Sequence, residues 1–161
     1  MTDARAILIL GTAASVAALL AALAAQYLGG LAPCPLCLWQ RWPYAIAIPV
    51  GLVALLALPA HRLRLATGAL GLLFLIGGGI AFFHVGVEAG WWQGLGECSG
   101  ASTLGASSIE DLKKALMETA PVRCDAVPWS LFGISIAGYN LIASAVLAAV
   151  AFAATLAPRK A

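Results

Sequence analysis

The chain has 161 residues, is 62% hydrophobic and only 10% charged, and has a mean hydropathy of +0.96. A water-soluble domain carries about a quarter charged residues, so this composition excludes an ordinary soluble fold and makes the bilayer the natural solvent. The net charge of +2, without a basic run interleaved with aromatics or a glycine-rich phosphate loop, gives no ground for a nucleic-acid partner.

The length points to one domain, residues 1–161. Four stretches suit the roughly 20 apolar residues that a spanning helix needs. Residues 6–28 carry no charged side chain. Residues 43–60 form a shorter span with Pro49 inside it; the span extends back to Leu38 if Pro43 occupies its first turn, where a missing N–H costs little. Residues 65–87 carry His84 near their end, and residues 129–157 hold no ionisable group besides Tyr139. The apolar residues run continuously instead of alternating, which argues against spanning strands. The expected fold is therefore an all-α membrane protein, a bundle of four transmembrane helices. Ala14, Ala18, Ala22 and Ala25 in the first span, and Gly68, Gly71 and Gly77–Gly79 in the third, predict close helix contact. The triple glycine also predicts a loosened or kinked third helix.

Arg5, the pair Arg62 and Arg64, and the pair Arg159 and Lys160 fall where four spans place them on one side. Lysine and arginine near span ends mark the cytoplasmic face, so both termini are expected there. Residues 29–42 and 88–128 then form two exterior, or periplasmic, loops. The first apolar stretch is far longer than the ~7–15 residues of a signal-peptide core, which favours an uncleaved first helix. In the second loop, Ser107-Ser108-Ile109-Glu110-Asp111 reads as a helix start with a serine cap and early acids. Ile109, Leu112, Leu116 and Ala120 share a face, Lys113, Lys114 and Glu118 turn away, and Pro121 ends the segment. The pattern predicts a short amphipathic helix lying on the bilayer surface.

All four cysteines fall in the exterior loops: Cys34 and Cys37 in the first, Cys98 and Cys124 in the second. Disulfides persist in oxidising compartments, so thiols confined to that side imply bonding or exchange. Three readings stand together at this point: redox exchange, structural bridging and a metal site. A bridge within Cys34-Pro35-Leu36-Cys37 would close too small a loop to constrain much of the unfolded chain. Close-spaced pairs are often redox-active, with one thiol's pKa lowered. A zinc site made of four cysteines usually joins two C-x-x-C knuckles, whereas 25 residues, 99–123, separate Cys98 from Cys124. Covalent haem would need histidine after Cys37, and residue 38 is leucine.

Arg41 follows Cys37 by four residues, and the two share a face if a helix begins by Leu38. A nearby cation favours the thiolate. Trp39 and Trp42 flank this stretch, and such aromatics settle at headgroup depth and can line a site for a flat ring. His84 lies at the exterior end of the third span with Glu88 one turn away. It is a candidate to hydrogen-bond a ring carbonyl or relay a proton, or simply an interfacial histidine. Tyr139 and Asn140, inside the fourth span, read as helix–helix contacts.

Four spans, a cysteine pair in each exterior loop, C-x-x-C with arginine four residues on, His84, and Cys124 followed by Trp129-Ser130-Leu131-Phe132-Gly133 together resemble the disulfide bond formation protein B (DsbB) family. The resemblance covers nearly the whole chain. It implies a multi-pass protein of the bacterial inner membrane that reoxidises a periplasmic thioredoxin-like, DsbA-like thiol oxidase. Electrons would pass to membrane quinone, ubiquinone or menaquinone. It further implies redox-active disulfides Cys34–Cys37 and Cys98–Cys124, with Cys98 attacked by the partner's thiolate and Cys124 able to exchange with Cys34. Cys37 would lie beside the quinone, with Arg41 stabilising negative charge there and Trp39 and His84 as further contacts. No metal belongs to this expectation. The competing expectation is a non-enzymatic membrane scaffold with structural disulfides or a four-cysteine zinc site.

Overall fold

The computed structural model describes residues 2–95, 109 and 122–157. The loop helix expected over Ser107 to Ala120 lies outside these residues except for Ile109, and so do Cys98, Arg159 and Lys160. Among the described residues, four apolar helical runs are long enough to cross a membrane: Ala4–Tyr27, Pro35–Ala57, Ala60–Glu88 and Ile136–Leu156. The protein is an all-α membrane bundle.

Helix α1 (Thr2–Tyr27) ends at Gly29-Gly30. Gly30 takes a left-handed φ of 65°, and the Leu31 N–H turns back to the Ala25 carbonyl at 3.1 Å. Glycine closes helices this way because it has no Cβ to clash. The next span starts earlier than residue 43. Cys34 has an extended backbone and its sulfur accepts the Cys37 N–H, while Pro35 occupies the first helical position, where its missing N–H is harmless. Helix α2 (Pro35–Trp39) passes through Gln40, itself in a helical conformation, into α3 (Arg41–Ala57). Pro43 lacks the N–H that would reach back to Trp39, which accounts for the break in the ladder at Gln40.

A 3₁₀ turn at Ala60–Arg62 leads into α4 (Leu63–Glu88). Helix α4 is α-helical through Gly77-Gly78-Gly79, and two of these glycines serve packing. A Cβ on Gly77 would lie 3.3 Å from the Pro43 side chain, and one on Gly78 would lie 3.5 Å from Ser144. The last helix, α5 (Ile136–Leu156), begins after residue 129 because a two-stranded hairpin precedes it. Strand β1 (Ser130–Leu131) pairs antiparallel with β2 (Ile134–Ser135), with Ser130 opposite Ser135 and Leu131 opposite Ile134. The turn residues Phe132 and Gly133 have φ of 51° and 76°, the left-handed pair that a two-residue hairpin needs. Ser135 then caps α5, its hydroxyl accepting the Gly138 N–H at 3.0 Å.

Helix α4 packs along α5 and against α3, and α1 closes the bundle on α3. Leu8, Tyr44, Ala47, Ala54, Leu70, Phe74 and Ala148 form the main buried cluster. Large apolar side chains such as Leu20, Leu56, Leu65 and Val146 face outward, as lipid contact requires. The α1–α3 contact is so close that a Cβ on Gly51 would overlap the Thr12 hydroxyl. That hydroxyl is itself tied to the Leu8 carbonyl at 2.7 Å and cannot turn away without losing the bond. Gly51→Ala should therefore destabilise the bundle by about 1–3 kcal/mol, the usual cost of overpacking. Gly79→Ala, whose Cβ meets open space, should leave the detergent unfolding midpoint nearly unchanged. A Gly51→Ala protein as stable as the parent would overturn this reading of the α1–α3 contact.

Candidate active site

The thiol pair stands at the start of α2 because Cys34 is the residue that caps it. The two sulfurs are 2.9 Å apart, with Cys34 as donor, and both are free thiols. Cys34 is buried at 3% exposure and Cys37 is half-buried. The hydrogen bond to Cys37, followed by burial, pushes the Cys34 thiol far above the ordinary cysteine range, so Cys34 keeps the proton of the pair.

Helix α4 delivers His84 to these sulfurs. Its Nε2 lies 3.6 Å from Cys34 Sγ and 3.8 Å from a carboxylate oxygen of Glu88 one turn on. The His84 and Glu88 side chains are both nearly buried. Ser135, the α5 cap, donates its hydroxyl proton to the other Glu88 oxygen at 2.5 Å, which ties the hairpin to this end of α4. On the far side of the imidazole, Nδ1 meets the Gln40 amide nitrogen at 2.7 Å. The ligand atoms of Cys34, Cys37 and His84 all lie within 4.8 Å of one another, and sulfur and imidazole nitrogen are donor types that bind zinc.

Cys124, from the second loop, is completely buried and packs in one cluster with Cys34, Leu36 and Val87. It is disulfide-bonded, and its backbone hydrogen-bonds His84. The flanking residues are pinned by a two-pronged ion pair, Arg123 Nε to Asp125 at 2.9 Å and Arg123 Nη2 to Asp125 at 2.5 Å. Trp92 covers the cluster: its ring stacks on Phe83 at 5.7 Å and its N–H donates to the Phe83 carbonyl at 2.8 Å. Gly86 makes room for that indole, since a Cβ there would sit inside it.

Of the residues singled out from sequence, Cys34, Cys37, His84 and Cys124 come together, with Glu88 behind the histidine. Arg41 begins α3 and its guanidinium donates to Gln26 of α1 at 2.8 Å. Trp39 and Trp42 turn outward, 54% and 65% exposed, on the lipid-facing side of the same segment. Asn140 does join helices, reaching Gln40 at 2.6 Å and Tyr44 at 2.6 Å, whereas Tyr139 bonds the hairpin carbonyl of Leu131. Gln26, Gln40 and Trp92 do not stand out from the sequence. For Gln40 a signal existed: it is the buried polar residue three positions after Cys37 and thus on a related face of the helix.

Comparison with known proteins identifies the family of the chain. The family model described as disulfide bond formation protein DsbB matches residues 4–154. A disulfide bond formation protein B of Methylobacillus flagellatus is 35% identical over 83% of this chain and 82% of its own length. One of Dechloromonas aromatica is 34% identical over 86% of this chain and 82% of its own. An uncharacterized protein of Rickettsia prowazekii is 31% identical over 80% and 74%. No solved structure matches the chain. With a family match over nearly its whole length and a thiol pair at the head of a lipid-spanning helix, the chain belongs to the DsbB family of disulfide bond formation proteins.

Proposed function

We propose that the protein is a quinone-dependent thiol oxidase of the bacterial inner membrane that regenerates a periplasmic thioredoxin-like disulfide donor. The observation that carries this reading is the position of Cys34 and Cys37, with one sulfur buried beside Cys124 and the other half-exposed near outward-facing tryptophans. Both termini lie in the cytoplasm on this reading, and the thiols lie at the periplasmic rim.

The residues present fit a quinone. A flat apolar ring with two carbonyl oxygens needs an aromatic or lipid-facing wall and hydrogen-bond donors, chemistries that Trp39 and Arg41 carry on the segment that holds Cys37. Bound there, quinone supplies a two-electron, two-proton acceptor. The remaining steps belong to the chain. A partner thiolate attacks Cys98 of the Cys98–Cys124 disulfide and forms a mixed disulfide, releasing Cys124 as a thiolate. The partner's second thiol resolves that bond, so the partner leaves oxidised and Cys98 and Cys124 are left reduced. Cys124 attacks Cys34 of an oxidised Cys34–Cys37 pair, and Cys98 then closes back onto Cys124. The pair Cys34 and Cys37 is now reduced and gives up two electrons and two protons to return to its disulfide. Packing of Cys124 against Cys34 supports the exchange between pairs. Because Cys34 is buried and Cys37 is only half-buried, Cys37 is the sulfur open to the acceptor on this reading.

Purified protein should consume reduced thioredoxin-like partner and quinone together, followed by quinone absorbance. No quinone reduction with all four cysteines present would end the proposal. Cys98→Ala should lose turnover with the partner, and Cys37→Ser should lose quinone reduction. Arg41→Met should weaken quinone use by roughly 10–100-fold in kcat/KM, the worth of one charged hydrogen bond. In a reduced Cys98→Ala/Cys124→Ala protein, iodoacetamide should modify Cys37 roughly tenfold faster than Cys34, as the burial of Cys34 dictates. Equal rates, read by mass spectrometry, would contradict the assigned division of labour.

A further inference from the structure

A line of hydrogen bonds from three helices ends on His84, and its direction can be read link by link. The Tyr44 hydroxyl donates to Asn140 Oδ1 at 2.6 Å, and Asn140 Nδ2 donates to Gln40 Oε1 at 2.6 Å. The Gln40 amide nitrogen has two protons. One goes to the Leu36 carbonyl at 3.3 Å, and the other points to His84 Nδ1 at 2.7 Å. A carbonyl can only accept, so the Leu36 link is the asymmetric one: it fixes the Gln40 amide with nitrogen toward the histidine. Reversing the line would leave Ser144, 2.8 Å from the Tyr44 hydroxyl, to accept from it, but would break the bond to Leu36.

With Gln40 as donor, Nδ1 of a neutral His84 is the acceptor and the ring proton sits on Nε2. That nitrogen faces the Cys34 sulfur and Glu88, and the ring also hydrogen-bonds the backbone of Cys124. We propose that Gln40, oriented by Asn140 and the Leu36 carbonyl, is a positioning residue that holds His84 as its Nε2–H tautomer, with the N–H aimed at Cys34. An Nε2 that carries a proton has no lone pair for a metal. The grouping of Cys34, Cys37 and His84 is thereby set for hydrogen bonding to sulfur instead of zinc ligation. The consequence for catalysis, an N–H that stabilises negative charge on Cys34 as it leaves Cys124, rests on the thiol-oxidase reading. The tautomer itself does not.

The test is ¹⁵N NMR of histidine-labelled protein in detergent at about pH 8, where imidazole is ordinarily neutral, with His61→Gln removing the second ring. The expected spectrum has an unprotonated Nδ1 and a protonated Nε2. Gln40→Glu, whose carboxylate only accepts, should move the proton to Nδ1 or protonate both nitrogens. Gln40→Leu, which offers Nδ1 nothing, should give a mixture of tautomers. A parent protein protonated at Nδ1 overturns the proposal, and so does an unchanged single Nε2–H tautomer in either folded variant. Quinone turnover of the same samples is read separately, so loss of the oxidase reading would leave the tautomer assignment standing, and the reverse.

Discussion

Gln40 is a buried amide in a helix whose surroundings are lipid and apolar side chains. In such a medium an unpaired polar group costs several kcal/mol, so the amide must find its partners inside the protein. It finds them on α2, α4 and α5 at once: Leu36, His84 and Asn140. Among the described residues, every buried side-chain nitrogen and oxygen has a hydrogen-bond partner. A slide or rotation of any one helix would break this arrangement, which makes the amide a register pin for the part of the bundle beneath the thiols. The close approach of α4 to Pro43 and Ser144, allowed by Gly77 and Gly78, brings those partners within reach. Apolar packing alone gives little discrimination between registers in lipid, because tails are as apolar as leucine.

The thiol pair inherits this definition. Cys34 caps the helix with its own sulfur, so the chemistry and the start of the span are one local structure. A disulfide bond is about 2.05 Å long, so forming one from sulfurs 2.9 Å apart needs a shift of under about an ångström. The pair can therefore change oxidation state without rebuilding the helix beneath it. His84 and Cys124 bear on the buried sulfur, while Cys37 keeps a partly open side.

Features governed by composition or by near neighbours were legible in the sequence. The four apolar runs needed only hydropathy, and Cys34, Cys37 and Arg41 announced themselves by spacing. The meaning of Gln40 was not legible, because it depends on His84 and Asn140, 44 and 100 positions away. A glutamine in an apolar run reads as an imperfection until those partners are placed. Pro43 was a plausible helix start; Pro35 took that role because the Cys34 sulfur caps the turn before it. The hairpin ahead of α5 was absorbed into the fourth span for a similar reason. Its strands are two residues each, too short to show alternation, and its turn uses Phe132-Gly133 instead of the Asn-Gly pair that marks such turns. The glycine run in α4 signalled close helix contact by its small size, but not its partners, Pro43 on α3 and Ser144 on α5.

On the proposed reading, the direction of electron flow follows from exposure as much as from potential. A soluble partner cannot reach Cys34, which lies beneath Cys124, Leu36 and Val87, and it has no reason to enter the lipid-facing side where Trp39 and Trp42 project. On this reading it meets the second loop, through Cys98. An acceptor dissolved in lipid has the opposite access, toward Cys37. On that reading the buried contact of Cys124 against Cys34 is the internal exchange that the fold positions. On this reading that exchange takes place next to His84, whose ring hydrogen-bonds the Cys124 backbone and approaches Cys34. An imidazole with a fixed tautomer is suited to that location, since an N–H that always points the same way can stabilise sulfur anions without being consumed as a base.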